Sequence, residues 1–195
     1  MANQAARNDT GTPSREAALV QSFQRGDTAA FAQIYEDYYT RVYRYLLVRI
    51  GNQAEAEDLA ADVFVKAIEA SKSFKNQGVP FSAWLFRIAH NLLVDTLRRR
   101  NKRPTAELDE TLPMTDDAPD DIVIQTLANE DVERAMKLLT DSQRQAVALR
   151  FGAGFSIQET AEAMGKKEGA IKALQHSAIH ALRRHLVRQG HEIAV

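Results

Sequence analysis

The sequence contains no cysteine. Disulfides and thiolate metal sites are therefore excluded, and the chain fits a reducing compartment, the cytoplasm. No apolar run approaches the roughly 18 residues that cross a bilayer, so membrane insertion is not expected. The opening stretch MANQAARNDTGTPSR has no apolar core of signal-peptide type, and residues 1–14 are expected to be a disordered N-terminus. A large excess of charge is missing too, since 25 Lys and Arg stand against 26 Asp and Glu, for a formal net charge of −1. That near-neutrality hides a strong segregation along the chain. From Thr105 to Glu133 there is no basic residue at all, against ten acids. From Arg87 to Arg103 six cations face the single acid Asp95, and from Lys166 to His191 six face the single acid Glu168. Two basic blocks around an acidic one imply two polyanion-facing surfaces and an acidic connector. Taken alone, the same blocks are equally compatible with solvated helix faces.

What the sequence has in abundance is helical period. Asp27 is placed to cap a helix whose apolar positions Phe31, Ile34, Tyr35, Tyr38, Val42, Tyr45, Leu46 and Ile50 recur at spacings of three and four. Gly51 ends it, and Asn52 with Glu55 has the form of a capping box. The next helix is expected to bury Leu59, Val63, Phe64, Ala67 and Ile68. A loop follows over 73–80, and then a third helix with Trp84, Leu85, Ile88, Leu92, Leu93 and Leu97 on one stripe, ending before Pro104. Residues 105–121, with Pro113, Pro119 and a run of acids, have the composition of a flexible tether.

Beyond the tether, 122–139 is expected to be helical. Thr140 with Gln143 forms a capping box for a helix from Asp141 to Phe151, ended by Gly152. Ser156 with Glu159 caps a short helix to Met164, Gly165 makes a turn, and a long helix runs from about Glu168 to Gln189. The fold expectation is all-α, with two small helical domains at 15–104 and 122–190 joined by the acidic linker 105–121. Short helix, glycine turn and long basic helix form the helix-turn-helix pattern. Its second helix suits a major groove, with Lys166, Lys167, Lys172, Gln175 and His176 near base edges and Arg183 and Arg184 toward phosphates.

The order of these parts resembles bacterial RNA polymerase sigma factors, with region 2 in the first domain and region 4 in the second. The stretch Glu57-Asp58-Leu59-Ala60-Ala61-Asp62-Val63-Phe64 resembles the segment that docks on the clamp helices of the polymerase beta-prime subunit. The stretch from Phe81 to Asn91, continuing to Asp95, Arg98 and Arg99, resembles the part that recognises and melts the −10 element. Leu139-Thr140-Asp141 onward resembles region 4, which binds the −35 element. The layout, with nothing resembling region 3 between the two, is similar to the extracytoplasmic-function (ECF) subgroup.

The resemblance implies a promoter-specificity factor that binds core polymerase, including the flap of its beta subunit. It also implies promoter DNA and an anti-sigma factor as partners, no cofactor and no catalysis. Polymerase docking then falls to Glu57, Asp58, Asp62 and Phe64. The −10 element falls to Phe74, Lys75, Asn76, Arg87, Asn91, Asp95, Arg98 and Arg99, and the −35 element to Lys166, Lys167, Lys172, Gln175, His176 and Arg183. Melting requires a basic groove with places for unstacked bases, and the loop 73–77 is positioned to hold one. Trp84 lies on the apolar stripe and is expected in the core. The like-charged pair Asp58 and Asp62, four residues apart, costs a little stability, which a basic partner would offset. The recognition helix departs from the family pattern, carrying Ala170 and Leu174 where a threonine and an arginine are usual. His176 and His180 have a zinc-like spacing but no evident third ligand, so no metal site is expected. The competing function is a free-standing helix-turn-helix regulator that binds an operator without polymerase. A nucleic-acid enzyme finds no carboxylate cluster, phosphate loop or serine–histidine arrangement to support it.

Overall fold

The computed structural model describes residues 15–74, 79–102 and 130–188. Among them the chain is helical throughout, in eight α-helices: α1 (Arg15–Gln24), α2 (Thr28–Ile50), α3 (Gln53–Ala70), α4 (Phe81–Lys102), α5 (Glu130–Lys137), α6 (Asp141–Val147), α7 (Ile157–Met164) and α8 (Glu168–Arg188). The expected disorder at 1–14, the tether 105–121 and the first part of the helix expected over 122–139 lie outside the described residues.

Local chemistry sets the helix ends. The Asp27 carboxylate accepts from the backbone N–H of Ala29 at 2.9 Å and of Ala30 at 3.3 Å, satisfying donors that α2 itself leaves open. Gly51 stops α2 at φ 73°, a conformation a side chain would strain, and its N–H reaches the Leu47 carbonyl. Asn52 caps α3 by accepting from Glu55 N–H at 2.9 Å. Two complete capping boxes, Thr140 with Gln143 and Ser156 with Glu159, open α6 and α7.

The first domain packs α2, α3 and α4 around Ile34, Val42, Tyr45, Leu46, Val63, Leu85, Phe86 and Leu93. Helix α1 completes it. Val20 and Phe23 are buried, and the Phe23 ring meets Phe81 edge-on at 6.2 Å. Tyr38 Oη donates to Glu16 at 2.5 Å, and burial followed by that carboxylate holds the Tyr38 phenol well above its ordinary range. Two residues assigned to the core stripe lie outside it: Tyr35 is 37% and Ile68 48% exposed. Both sit at the margin of their helix's apolar arc, where a period count cannot decide the side.

In the second domain, α6 widens after Val147 into a π-type turn over Ala148–Gly152, so the helix expected to Phe151 changes its hydrogen bonding half-way. The N–H of Ala153 reaches back to the Ala148 carbonyl at 2.9 Å. A small satellite cluster of Met136, Leu139, Val147 and Ala178 joins α5, α6 and α8.

The two domains do not keep separate cores. Ala148, Leu149, Ala153 and Phe155 belong to the same buried cluster as α2 and α4. Phe155 is fully buried, with its ring 4.5 Å from Phe86 and the Arg41 guanidinium 4.7 Å above it. Burying such a ring stabilises by about 1.5–3 kcal/mol, and an aromatic pair adds about 0.5–1.5 kcal/mol. Arg41 donates to the Ala153 carbonyl at 2.9 Å, and the fully buried Arg49 side chain pairs with Asp141 at 2.6 Å.

Candidate nucleic-acid and polymerase interface

Helix α3 presents Glu57, Asp58 and Asp62 to solvent. Their backbones are anchored because Ala56, Leu59, Ala60 and Val63 interleave with them and point inward. Glu57 accepts from Gln53 at 2.9 Å. Phe64, expected on this docking surface, is instead only 2% exposed. Its ring lies 4.7 Å from Tyr35 and 6.3 Å from Tyr39. Phe64 therefore supports the surface from beneath and does not form it.

What does reach the surface is an aromatic ladder on α2. Tyr35 stacks on Tyr39 at 4.9 Å, and Tyr39 lies parallel to Tyr43 at 6.3 Å. Burial first, and the Glu57 charge as a lesser cause, push the phenols of Tyr39 and Tyr43 upward, which places that carboxylate beside the ladder. With Val65 52% and Ile68 48% exposed on α3, this side of the first domain combines acid with apolar area. The signal is present in the sequence as tyrosines at 35, 39 and 43, four apart, of which the period count takes up only Tyr35, as core.

On α4, Arg87, Asn91, Asp95 and Arg98 recur at steps of four, four and three, one stripe on a helix of 3.6 residues per turn. Arg87, Asn91, Arg98 and Arg99 are exposed. Asp95 is spoken for by Arg98 at 3.3 Å, an exposed pair that adds little stability but orients the arginine. The opposite face of α4 buries Leu85, Phe86, Ala89 and Leu93. Phe74, expected to meet DNA, is 7% exposed. It packs 5.8 Å from Phe81 and 5.0 Å from the half-buried Trp84, so Trp84 has the packing role expected of it and Phe74 shares that role. Gln24 of α1 donates to the carbonyls of Ser71 at 3.0 Å and Phe74 at 2.7 Å, pinning the chain where the loop leaves. Lys75 and Asn76 lie outside the described residues.

In the second domain the Ser156 hydroxyl accepts from Glu159 N–H at 3.1 Å, and Glu159 accepts from Ser156 N–H at 2.7 Å. Burial opposes ionisation of Glu159, yet the hydrogen bonds from Ser156 and the charges of Arg41 and Arg150 together bring its pKa below the usual value. Gly165 turns the chain at φ 61°, and Lys166 N–H reaches the Ala161 carbonyl at 2.9 Å. Ile171 and Ala178 then seat α8 against the body. Lys166, Lys167, Lys172, His176 and Arg183 are exposed, with Lys172, His176 and Arg183 on one face of α8.

Gln175 is half-buried, and its side-chain oxygen accepts from Arg150 at 3.0 Å. Arg150 also donates to the Phe155 carbonyl. One lone pair of that amide is thus committed. Gln143 donates to Ser177 at 2.7 Å and ties α6 to α8. The rings of His176 and His180 lie 4.8 Å apart, and among the described residues no group of three or more metal-type ligands exists. No described helix is long and apolar enough to cross a membrane.

Comparison with known proteins agrees with this geometry. Residues 34–103 match the family description "Sigma-70 region 2" and residues 135–184 match "Sigma-70, region 4". The ECF RNA polymerase sigma factor SigD of Mycobacterium tuberculosis is 31% identical over 180 residues, covering 89% of this chain and 84% of that protein. The chain belongs to the ECF sigma factors.

A further relative of this sigma factor is BldN of Streptomyces coelicolor, 39% identical over 168 residues, which cover 85% of this chain and 64% of BldN. The present chain thus spans a little under two thirds of BldN's length. Among solved structures it resembles the sigma factor RpoE in complex with the anti-sigma factor NepR from Bartonella quintana. That likeness has a TM-score of 0.62 at 25% identity and covers 80% of this chain and 96% of that one. Both matched regions carry the exposed charged faces described above, with region 2 holding the acidic α3 face and the basic α4 stripe, and region 4 holding α8.

Proposed function

We propose that this ECF sigma factor binds core RNA polymerase, directs it to specific promoters and helps to open the −10 region. The observation that carries the reading is the separation of charge on the first domain. Exposed Glu57, Asp58 and Asp62 on α3 face away from the core on a helix whose neighbour, α4, displays Arg87, Asn91, Arg98 and Arg99. One domain thus offers an acidic, partly apolar surface to a protein and a basic surface to nucleic acid. Glu57, Asp58 and Asp62 contact the beta-prime clamp helices, flanked by Tyr35, Tyr39, Val65 and Ile68. Arg87, Asn91, Arg98 and Arg99 contact the −10 strands, where cationic side chains track phosphates and unstacked bases. Lys166, Lys167, Lys172, Gln175, His176 and Arg183 contact the −35 duplex through α8, and the second domain also meets the beta-subunit flap. The RpoE–NepR complex is the precedent for an anti-sigma factor as the inhibitory partner. The chain performs no catalysis of its own and works in the cytoplasm.

Run-off transcription over promoter-bearing genomic DNA, with core polymerase, tests this reading. Asp62→Arg places a cation where a basic partner is expected, in an exposed position where substitution leaves the fold intact. Promoter-directed initiation is expected to be lost while helicity and thermal unfolding stay unchanged. Unaltered transcription would remove Asp62 from the docking surface.

A further inference from the structure

Among the proposed DNA contacts of α8, Gln175 differs from the rest in being held from behind. Ile171 and Ala178, fully buried, seat the helix against the body, whereas Lys172 and His176 stand exposed. At 3.6 residues per turn, Gln175 lies about 40° round the helix from Ile171 and about 60° from Lys172, on the margin between the seated and the outward face. Its amide oxygen accepts from Arg150 Nε at 3.0 Å. Arg150 belongs to the π-type turn Ala148–Gly152, and its Nη1 donates to the carbonyl of the fully buried Phe155, so the guanidinium is itself fixed. On the other flank of the buried stripe, Gln143 donates to Ser177 at 2.7 Å. With a polar tie on each flank, α8 cannot roll about its axis without breaking one of them.

The chemistry of the partner settles which way round the amide lies. A guanidinium donates through its nitrogens and accepts through none, so only the oxygen of Gln175 can face Arg150. Among the described residues, the side-chain nitrogens sealed from solvent without a partner belong to Arg44, Arg49 and His185. Gln175 Nε2, which has no protein acceptor, is therefore open to solvent.

An amide with both ends free pairs with adenine through two bonds, donating to N7 and accepting from the N6 amino group. Held by its oxygen, it has only donors to offer. Guanine, with acceptors at N7 and O6, answers donors, whereas the amino groups of adenine and cytosine do not. We propose that Arg150 is a positioning residue for −35 recognition, holding the Gln175 amide oxygen inward so that α8 presents N–H donors alone at that point and selects guanine over adenine. The inference rests on the assignment of α8 to the −35 duplex made above, and adds the base that one side chain reads.

Holoenzyme assembled from the full chain and core RNA polymerase, bound to a promoter library randomised across the −35 segment and sequenced, reads the preference at every position. The parent is expected to favour guanine over adenine about fivefold or more at one position. Arg150→Met frees the oxygen, and the ratio there is expected to fall to about one or to invert. Arg150→Lys restores a donor and with it the preference. Gln175→Glu keeps a partner for Arg150 but puts an acceptor in place of the donors, which moves the preference to cytosine. Arg150→Met also loses the bond to the Phe155 carbonyl and is expected to melt at a lower temperature. A preference is a ratio of two sequences bound by the same chain, so a purely structural role for Arg150 leaves it unmoved.

An unchanged profile in Arg150→Met and Gln175→Glu, beside a parent that discriminates among −35 sequences, overturns this inference alone and leaves α8 as the −35 reader. An adenine preference in the parent, at the position that Gln175→Glu alters, overturns it as well. A parent without −35 preference at any position overturns both the inference and the assignment beneath it.

Discussion

Ser156→Ala removes the cap that begins the helix-turn-helix. Two hydrogen bonds depend on the box, Glu159 N–H to Ser156 Oγ at 3.1 Å and Ser156 N–H to Glu159 at 2.7 Å. The substitution deletes the first directly and loosens the second, because Glu159 no longer has a reciprocal partner. Loss of a serine cap costs about 1 kcal/mol, within a range of about 0.5–2. Helix α7 has only eight residues, so little propagation compensates for a lost end. The shift in melting temperature depends on the size of the cooperative unit. If the two domains unfold together, about 1 kcal/mol lowers Tm by about 2–4 °C, whereas a region 4 unfolding alone would fall by about 4–8 °C. Calorimetry distinguishes these outcomes. The shared core predicts one transition and the smaller shift. Two separate transitions, with the whole loss confined to one of them, would refute the shared core, and no shift at all would refute the cap.

Other expectations concern pH, salt and two buried aromatic rings. Burial, and then the Arg49 charge, depress the His90 pKa below 6.5. The unfolded chain therefore takes up the proton first, so stability falls as pH drops below 6.5 and levels off once the folded state is protonated too. Denaturant titrations at pH 7.5 and 5.5 should show a loss that His90→Gln makes smaller. Lys172→Ala should weaken −35 DNA binding similarly across sequences and reduce the log–log salt slope by about 0.9, as read by fluorescence anisotropy at several salt concentrations. Phe64→Ala should lower unfolding stability by about 3–5 kcal/mol, measured by urea titration, whereas Phe64→Leu should retain polymerase binding. Loss of that binding in a stable Phe64→Leu variant would restore the ring to the docking surface. Phe74→Leu should likewise leave −10 binding intact in a gel-shift assay with single-stranded DNA.

Much of the fold was legible because it is written in short-range chemistry. Asp27, Gly51, Thr140, Ser156 and Gly165 mark helix ends through side-chain oxygens and left-handed turns that involve neighbours within four residues. Faces carrying Asp58, Asp62, Arg87, Asn91 and Lys172 were legible for the same reason, since periodicity assigns charged positions to the solvent side. Helix α1 was missed because its buried pair, Val20 and Phe23, is too brief an apolar pattern to register, and its value lies in distant partners such as Phe81 and Ser71. The burial of Phe64 and Phe74 was not legible because a resemblance conveys which residues matter without saying whether they lie at the surface or beneath it. The approach of Gly152 to α2 is illegible for a related reason: a glycine there has the form of an ordinary helix stop, and only the position of Arg44 and Val48 reveals what it accommodates.

The most direct test of the sigma assignment is equilibrium binding of the purified full chain to core RNA polymerase, followed by anisotropy of a label at Ala173→Cys. Saturable binding is predicted, weakened at least tenfold by Asp58→Arg with Asp62→Arg and by raised salt. An unchanged anisotropy across the whole polymerase titration would contradict it.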